Sequence, residues 1–142
     1  MTLAAEPAKL FQIRLVQDSA DANAEQMTII HSTKEKDWTV SLNVQKQPLL
    51  DFRAVASASV ENNSITGRPE IMITFSDEGR ERFEEVTRKN IGRQLAIIFD
   101  GRLLSAPRIA EKIPAGKIAI SVNLSAEEAG KLAKKIDRAA KK

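Results

Sequence analysis

Ile71-Met72-Ile73-Thr74-Phe75-Ser76-Asp77-Glu78-Gly79-Arg80-Glu81-Arg82-Phe83, followed after a gap by Leu95-Ala96-Ile97-Ile98-Phe99-Asp100-Gly101, is the stretch that decides the fold class. Ile71, Ile73 and Phe75 recur at every second position and predict one face of a strand. Ser76 stands where a helix N-cap is wanted, and Asp77 and Glu78 place two carboxylates at the positive end of the helix that follows. Phe83, Val86 or Thr87, and Asn90 continue at helical spacing, and Gly92 is placed to end that helix in a left-handed conformation. Leu95 to Phe99 is apolar without interruption, the mark of a central strand. Asp100-Gly101 is a two-residue hairpin signal, so Arg102 to Leu104 is the returning partner.

Toward the N-terminus, Trp38, Val40, Leu42 and Val44 alternate with Thr39, Ser41 and Asn43, which predicts another strand. Pro48 opens a short apolar helix over Leu49 to Val55, proline being well placed at a helix start. Ala56 to Val60 returns to alternation, and Glu61 to Pro69 is a loop rich in turn residues. From Trp38 to Phe99 the predicted order is therefore strand, helix, strand, strand, helix, strand, a ferredoxin-like βαββαβ core.

Toward the C-terminus, Pro107 breaks the hairpin strand, and Ile118, Ile120 and Val122 predict a further strand. Ser125-Ala126-Glu127-Glu128 is a capping box. It opens a last helix whose buried stripe is Ala129, Leu132, Ala133, Ile136 and Ala140. The reading is an α+β domain over residues 37–142, with helices on one face of a mostly antiparallel sheet. Phe75, Phe83, Ile97, Leu132 and Ile136 share its core. Residues 1–36 are expected to pack on the same domain as an N-terminal strand segment and loop. Within them Phe11, Ile13 and Leu15 alternate with Gln12 and Arg14, and Met27 to His31 suggests a second strand.

Composition narrows the function. Of 142 residues, 42% are hydrophobic and 29% charged, which suits one folded domain with its own core. The apolar runs are only a few residues long, against the ~20 needed to cross a bilayer, so a soluble chain is expected. The net charge is +3, from 22 basic and 19 acidic residues. The excess gathers in the last helix, at Lys131, Lys134, Lys135, Arg138, Lys141 and Lys142, where cations answer the helix dipole. With no Tyr, one Trp and five Phe the chain lacks stacking platforms for bases, and nucleic acid is not the expected partner. The absence of Cys removes disulfides, thiol catalysis and thiolate metal sites. Met1 to Pro7 lacks the basic start and apolar stretch of a secretory signal. Leu3-Ala4-Ala5 nevertheless resembles the small-residue end of one, and a matured exported protein and an ordinary frayed terminus both fit.

No constellation points to catalysis. His31 is the one histidine, so no second imidazole can share a metal, and no Gly-x-Ser-x-Gly elbow is present. The carboxylates fall on predicted helix faces with basic residues nearby, as solvated faces do. The glycines do not cluster into a phosphate loop. No catalytic residue, metal or cofactor is expected. The hairpin and its exit carry Leu103, Leu104, Ile109 and Ile113 beside Arg108. These side chains read either as core under the last helix or as an exposed apolar patch that receives a partner.

Ile73 to Phe83, Thr87-Arg88-Lys89-Asn90-Ile91-Gly92, Leu95-Ala96-Ile97, Asp100-Gly101 and Ser105-Ala106-Pro107 follow one another in the order found in the first periplasmic domain of the SecD family, which this chain resembles. Ile120-Ser121, Ser125, Glu127-Glu128-Ala129 and Leu132-Ala133 extend the likeness, which runs from about Gln45 to Ile136. The resemblance implies a head that contacts an emerging polypeptide on the far side of the membrane, without metal or cofactor. In that family SecD works with SecF and draws on the proton gradient. Its proton-handling acids lie in the membrane part, outside the region of likeness. The family's Gly-Ala-Leu-Pro-like link to the membrane bundle is not visible after Ile136, so a free-standing periplasmic or cell-envelope relative is expected. The function implied is non-enzymatic binding of extended polypeptide or of an envelope or translocon partner. The alternative is a small-ligand domain or an enzyme on the same fold.

Overall fold

In a computed structural model that describes residues 10–32, 35–110 and 116–141, the strands form two antiparallel sheets. The larger is centred on β1 (Phe11–Gln17). One flank of β1 is held by β7 (Leu95–Phe99), in register from Phe11↔Phe99 to Leu15↔Leu95. The other flank is shared by β3 (Asp37–Gln45), at Val16↔Val44, and by the short β4 (Leu50–Asp51), at Ile13↔Leu50. Outside these lie β2 (Ala24–Ser32), paired with β3 along its whole length, and β8 (Arg102–Ser105), paired with β7. The sheet order is thus β2-β3-β1-β7-β8. The smaller sheet is β5 (Val55–Asn62), β6 (Pro69–Phe75) and β9 (Lys117–Ser121), with β6 in the middle.

Local chemistry accounts for the joints. Ser76 Oγ accepts from Gly79 N at 3.0 Å and caps α1 (Asp77–Lys89). Ser125 and Glu128 form the reciprocal capping box of α2 (Ala126–Ala140). Asp100 and Gly101 both have positive φ, 50° and 79°, as a tight hairpin matched to strand twist requires. Gly92, at φ 87°, turns the chain after α1.

The main core lies between the sheets and helices. It joins Phe11, Ile13, Ile97 and Phe99 of the larger sheet to Ile71, Ile73 and Phe75 of the smaller one, with Phe83 of α1 and Leu132 and Ile136 of α2. Phe75 and Phe83 stack with ring centroids 4.8 Å apart. A second, smaller core lies on the opposite face of the larger sheet and contains Ile29, Val44, Ala96, Ile98 and Leu103. The uninterrupted apolar run of β7 is explained by these two cores, since its alternate side chains enter different ones.

The chain is an α+β domain on antiparallel sheets, and the five core residues expected from the sequence do share one core. Two finer expectations change. The segment expected to be a helix over Leu49 to Val55 is the strand β4 followed by a single 3₁₀ turn, Phe52–Ala54. Its backbone is claimed by β1, because Leu49 N donates to Ile13 O at 2.7 Å and Leu50 pairs with Ile13. So few residues cannot sustain a helix against that competition. The strands also do not lie in one ferredoxin-like sheet. β1, which precedes the predicted motif, sits between β3 and β7 and leaves β5 and β6 to build a separate sheet with β9.

Gly79 marks a close approach of α1 to the 3₁₀ turn. A Cβ there would run into the backbone carbonyl of Ala54, which also accepts a hydrogen bond from Ser76 N at 2.9 Å. Alanine favours a helix over glycine by about 1 kcal/mol, but overpacking typically costs about 1–3 kcal/mol and here the obstacle is backbone. Gly79→Ala should therefore lower the urea midpoint. A midpoint equal to or above wild type would show that α1 is free to move away from the 3₁₀ turn.

Candidate functional site

A sheet that ends in unpaired strands presents free backbone donors and acceptors along those edges. The larger sheet ends in β2 and β8, and its curl brings them near each other without joining them in a ladder. The space left between is a groove with two lobes. One, of about 360 Å³, lies between Glu25–Ile30 and Gly101–Leu104. The other, also about 360 Å³, lies between Ile29, Ile30, His31 and Trp38 on one side and Leu104–Pro107, Arg68 and Ser121–Asn123 on the other. Ile29, Ile30, Leu104 and Asn123 line both lobes, so the two adjoin.

The wall formed by β2 and β3 follows from their register. Met27↔Leu42, Ile29↔Val40 and His31↔Trp38 are cross-strand pairs on one face, the face that also closes the second core. At its tip the imidazole of His31 stacks on the indole of Trp38, with centroids 5.4 Å apart and planes 27° apart. The opposite wall is the β8 hairpin, whose Leu103 is buried in the second core while Leu104 is half-buried and faces the groove.

The outer edge of β5 in the smaller sheet is managed differently. Its Ala58 N–H donates to Asp137 Oδ1 of α2 at 3.0 Å, and Lys141 Nζ donates to Asp137 Oδ2 at 3.0 Å. The Ala58 hydrogen bond, followed by that from Lys141, holds the Asp137 carboxyl below the usual aspartate range. A helix and a carboxylate therefore cover this edge, one of the ways proteins blunt an edge strand.

The residues singled out from sequence divide between roles. Leu104 lines both lobes of the groove. Leu103 and Ile109 are 5% and 4% exposed and belong to the second and main cores respectively. Arg108 is exposed, but its Nη1 donates to Gly92 O at 2.6 Å. With Ile109 N bonded to Arg93 O at 2.8 Å, it fastens the hairpin exit to the chain entering β7. Ile113 lies outside the described residues. The five thus do not form one exposed patch. The groove residues of β2, from Met27 to His31, and Trp38 of β3 were legible as strand residues but not as a site, because their position opposite β8 is set by tertiary pairing.

A larger cavity, about 540 Å³, opens between Gln47–Asp51 and the start of α1, near Arg53, Glu78 and Arg82. Burial pushes the Asp51 carboxyl up, but hydrogen bonds from the Arg53 side chain and backbone, with the charges of Arg53 and Arg82, outweigh it and leave the group below its ordinary value. Asp51 is thereby occupied in capping the 3₁₀ turn, and its closest ion-pair contact to Arg53 is 2.7 Å. Among the described residues no three His, Asp or Glu side chains gather as metal ligands would.

These features define an antiparallel α+β module in which, among the described residues, the β5 edge is covered and no ladder joins the β2 and β8 edges. The chain belongs to the SecDF P1 head subdomain family, whose model matches residues 24–140. It is 49% identical over 86 residues to the protein translocase subunit SecDF of Thermus thermophilus, an alignment covering 61% of this chain and 12% of that one. It is 37% identical over 111 residues to the protein translocase subunit SecD of Sebaldella termitidis, covering 77% and 27% respectively. A crystal structure of SecDF in a super-membrane-facing form superposes with a TM-score of 0.70 at 28% identity, over 94% of this chain and 19% of that one. A structure of SecDF, described as a membrane component that enhances protein export, superposes with a TM-score of 0.69 at 26% identity, over 94% and 64%. The chain thus spans a small part of the curated relatives it matches. No helix among the described residues is long and apolar enough to cross a membrane.

Because the Asp137 carboxyl is depressed in the folded state, its contribution to stability is fully present above the unfolded aspartate value of about 3.9 and is lost as pH falls through the lower folded value. Asp137→Asn should flatten the fall of the urea midpoint on acidification below about pH 4 and should speed hydrogen exchange at the Ala58 amide. A variant with the same acid profile and the same Ala58 exchange as wild type would show that the carboxylate does not seal this edge.

Proposed function

We propose that this chain is a non-enzymatic polypeptide-binding head that acts in protein export on the periplasmic side of the membrane. The observation that carries this is the pair of unjoined edge strands, β2 and β8, facing each other across a groove with an apolar wall. An extended polypeptide can enter such a groove as an added strand. Its backbone pairs with an edge and its alternate side chains meet Ile29, Leu104 and Trp38. Backbone pairing is indifferent to sequence, which suits a component that must handle many exported chains. Relatives named as protein translocase subunits support the export setting.

Affinity should be low, since ordering a flexible chain consumes much of the interaction energy. An exported chain has to move on, and weak binding serves that. The larger cavity near Asp51 does not favour a small-ligand or enzymatic reading, because its perturbed carboxylate is already paired and capping.

Fluorescence anisotropy with a labelled, permanently unfolded polypeptide tests the proposal. Binding is expected at a Kd of roughly 1 µM to 1 mM, a free energy of about 4–8 kcal/mol. Short extended peptides should compete. Methylating alternate backbone nitrogens should weaken them about tenfold or more, because that removes the pairing donors. Absence of binding, or competition indifferent to methylation in either register, would refute strand addition in the groove.

A further inference from the structure

The two lobes of the groove differ in chemistry. The lobe between Glu25–Ile30 and Gly101–Leu104 has a carboxylate, Glu25, and a guanidinium, Arg102. Among the described residues no carboxylate lines the Trp38 lobe, whose charged and titratable side chains there are Arg68 and His31. Its accessible apolar side chains are Leu104, Pro107 and Trp38, with Ile29 and Val122 buried beneath. Trp38 is 41% exposed. Isolated exposed apolar side chains are common, but this one shares its cleft with half-buried Leu104 and exposed Pro107. The indole has one face against His31, so it is held as a firm aromatic wall with surface left for a guest. Rigid aromatic surfaces of this kind give contact area at little cost in conformational entropy.

From these observations we infer that the Trp38 lobe selects the side chain of the guest: it takes one bulky apolar residue, aliphatic or aromatic, of a polypeptide lying along β2. This inference rests on the groove reading above. The lobe's volume, about 360 Å³, accommodates a single large side chain with its flanking backbone. Burial of that side chain against Leu104, Pro107 and the indole removes apolar area from water, worth roughly 25 cal/mol per Å². A lysine or arginine in the same place would lose hydration, and the described lining residues offer no carboxylate to replace it. The preferred guest is therefore an extended segment in which a large apolar residue stands among small or polar ones. It gains its sequence preference from one pocket and its general affinity from backbone pairing.

Three extended peptides, identical except for Phe, Ser or Lys at the centre, test this. Anisotropy of labelled copies gives affinity. Unlabelled copies are read by the emission of Trp38, the one tryptophan in a chain without tyrosine. The Phe peptide should bind about tenfold or more tightly than the Ser peptide, a margin usual for an apolar pocket, with the Lys peptide weakest. It alone should shift Trp38 emission to shorter wavelength. Trp38→Ala should still bind, with the Phe-over-Ser preference reduced to about threefold or less. Equal binding of the three peptides would overturn the pocket and leave the groove standing. So would tight binding of the Phe peptide without a change in Trp38 emission, a readout that needs no variant. A preference that survives Trp38→Ala does the same. If none of the peptides binds, the groove reading fails and the pocket fails with it.

Discussion

Leu95, Ile97 and Phe99 point into one core while Ala96 and Ile98 point into the other, so β7 is the strand that both cores share. Its pairing with β1 runs through five consecutive residue pairs, and the hairpin at Asp100-Gly101 then folds β8 back along its other side. Each neighbour depends on this arrangement. The main core ties the larger sheet to the smaller one through Phe11, Ile71 and Ile73, and the second core ties β2 and β3 to the hairpin through Ile29 and Leu103. Burial of a strand on both faces leaves little freedom of register, because a slip of one residue would exchange the contents of the two cores.

The same constraint creates the groove. Packing on the second core draws Ile29 and Leu103 together from the two ends of the sheet, and the sheet curls accordingly. The curl stops short of closing a barrel, so the edges of β2 and β8 remain without a ladder between them. In the smaller sheet, by contrast, α2 and Asp137 cover the outer edge of β5. A natural protein that covers one edge and leaves another open beside apolar side chains has the physical form of a strand acceptor. The chain belongs to the SecDF P1 head family, and this open edge is what the proposal of brief, sequence-tolerant binding of an extended chain rests on.

Much of this was legible in the sequence where local chemistry decides. The caps at Ser76 and Ser125, the turn at Asp100-Gly101 and the alternation of β1, β3 and β6 each declare themselves from neighbouring residues. The family likeness was legible for the same reason, since its motifs sit on those local signals. What escaped was set by long-range pairing. Leu49-Leu50 reads equally as helix or strand until β1 claims it, and nothing near Phe11 announces that its strand will separate β3 from β7. Leu103 and Ile109 read from sequence either as core or as an exposed patch, and only the tertiary packing decides, burying Leu103 in the second core and Ile109 in the main one. Trp38 and His31 show the converse. Their spacing marks a strand face, but only the placement of that face opposite β8 makes it the wall of a site.

The central claim is that β2 pairs on one side only. In an antiparallel strand successive amides point alternately to either side, so β2 should carry two classes of N–H. Residue-resolved hydrogen exchange on the free protein measures them directly. Protection that alternates along Ala24–Ser32, with every second amide exchanging fast and gaining protection when an extended peptide is added, is the result this structure predicts. Protection of both classes in the free protein would mean that β2 already has a partner on its outer side, and the open groove would not exist in solution.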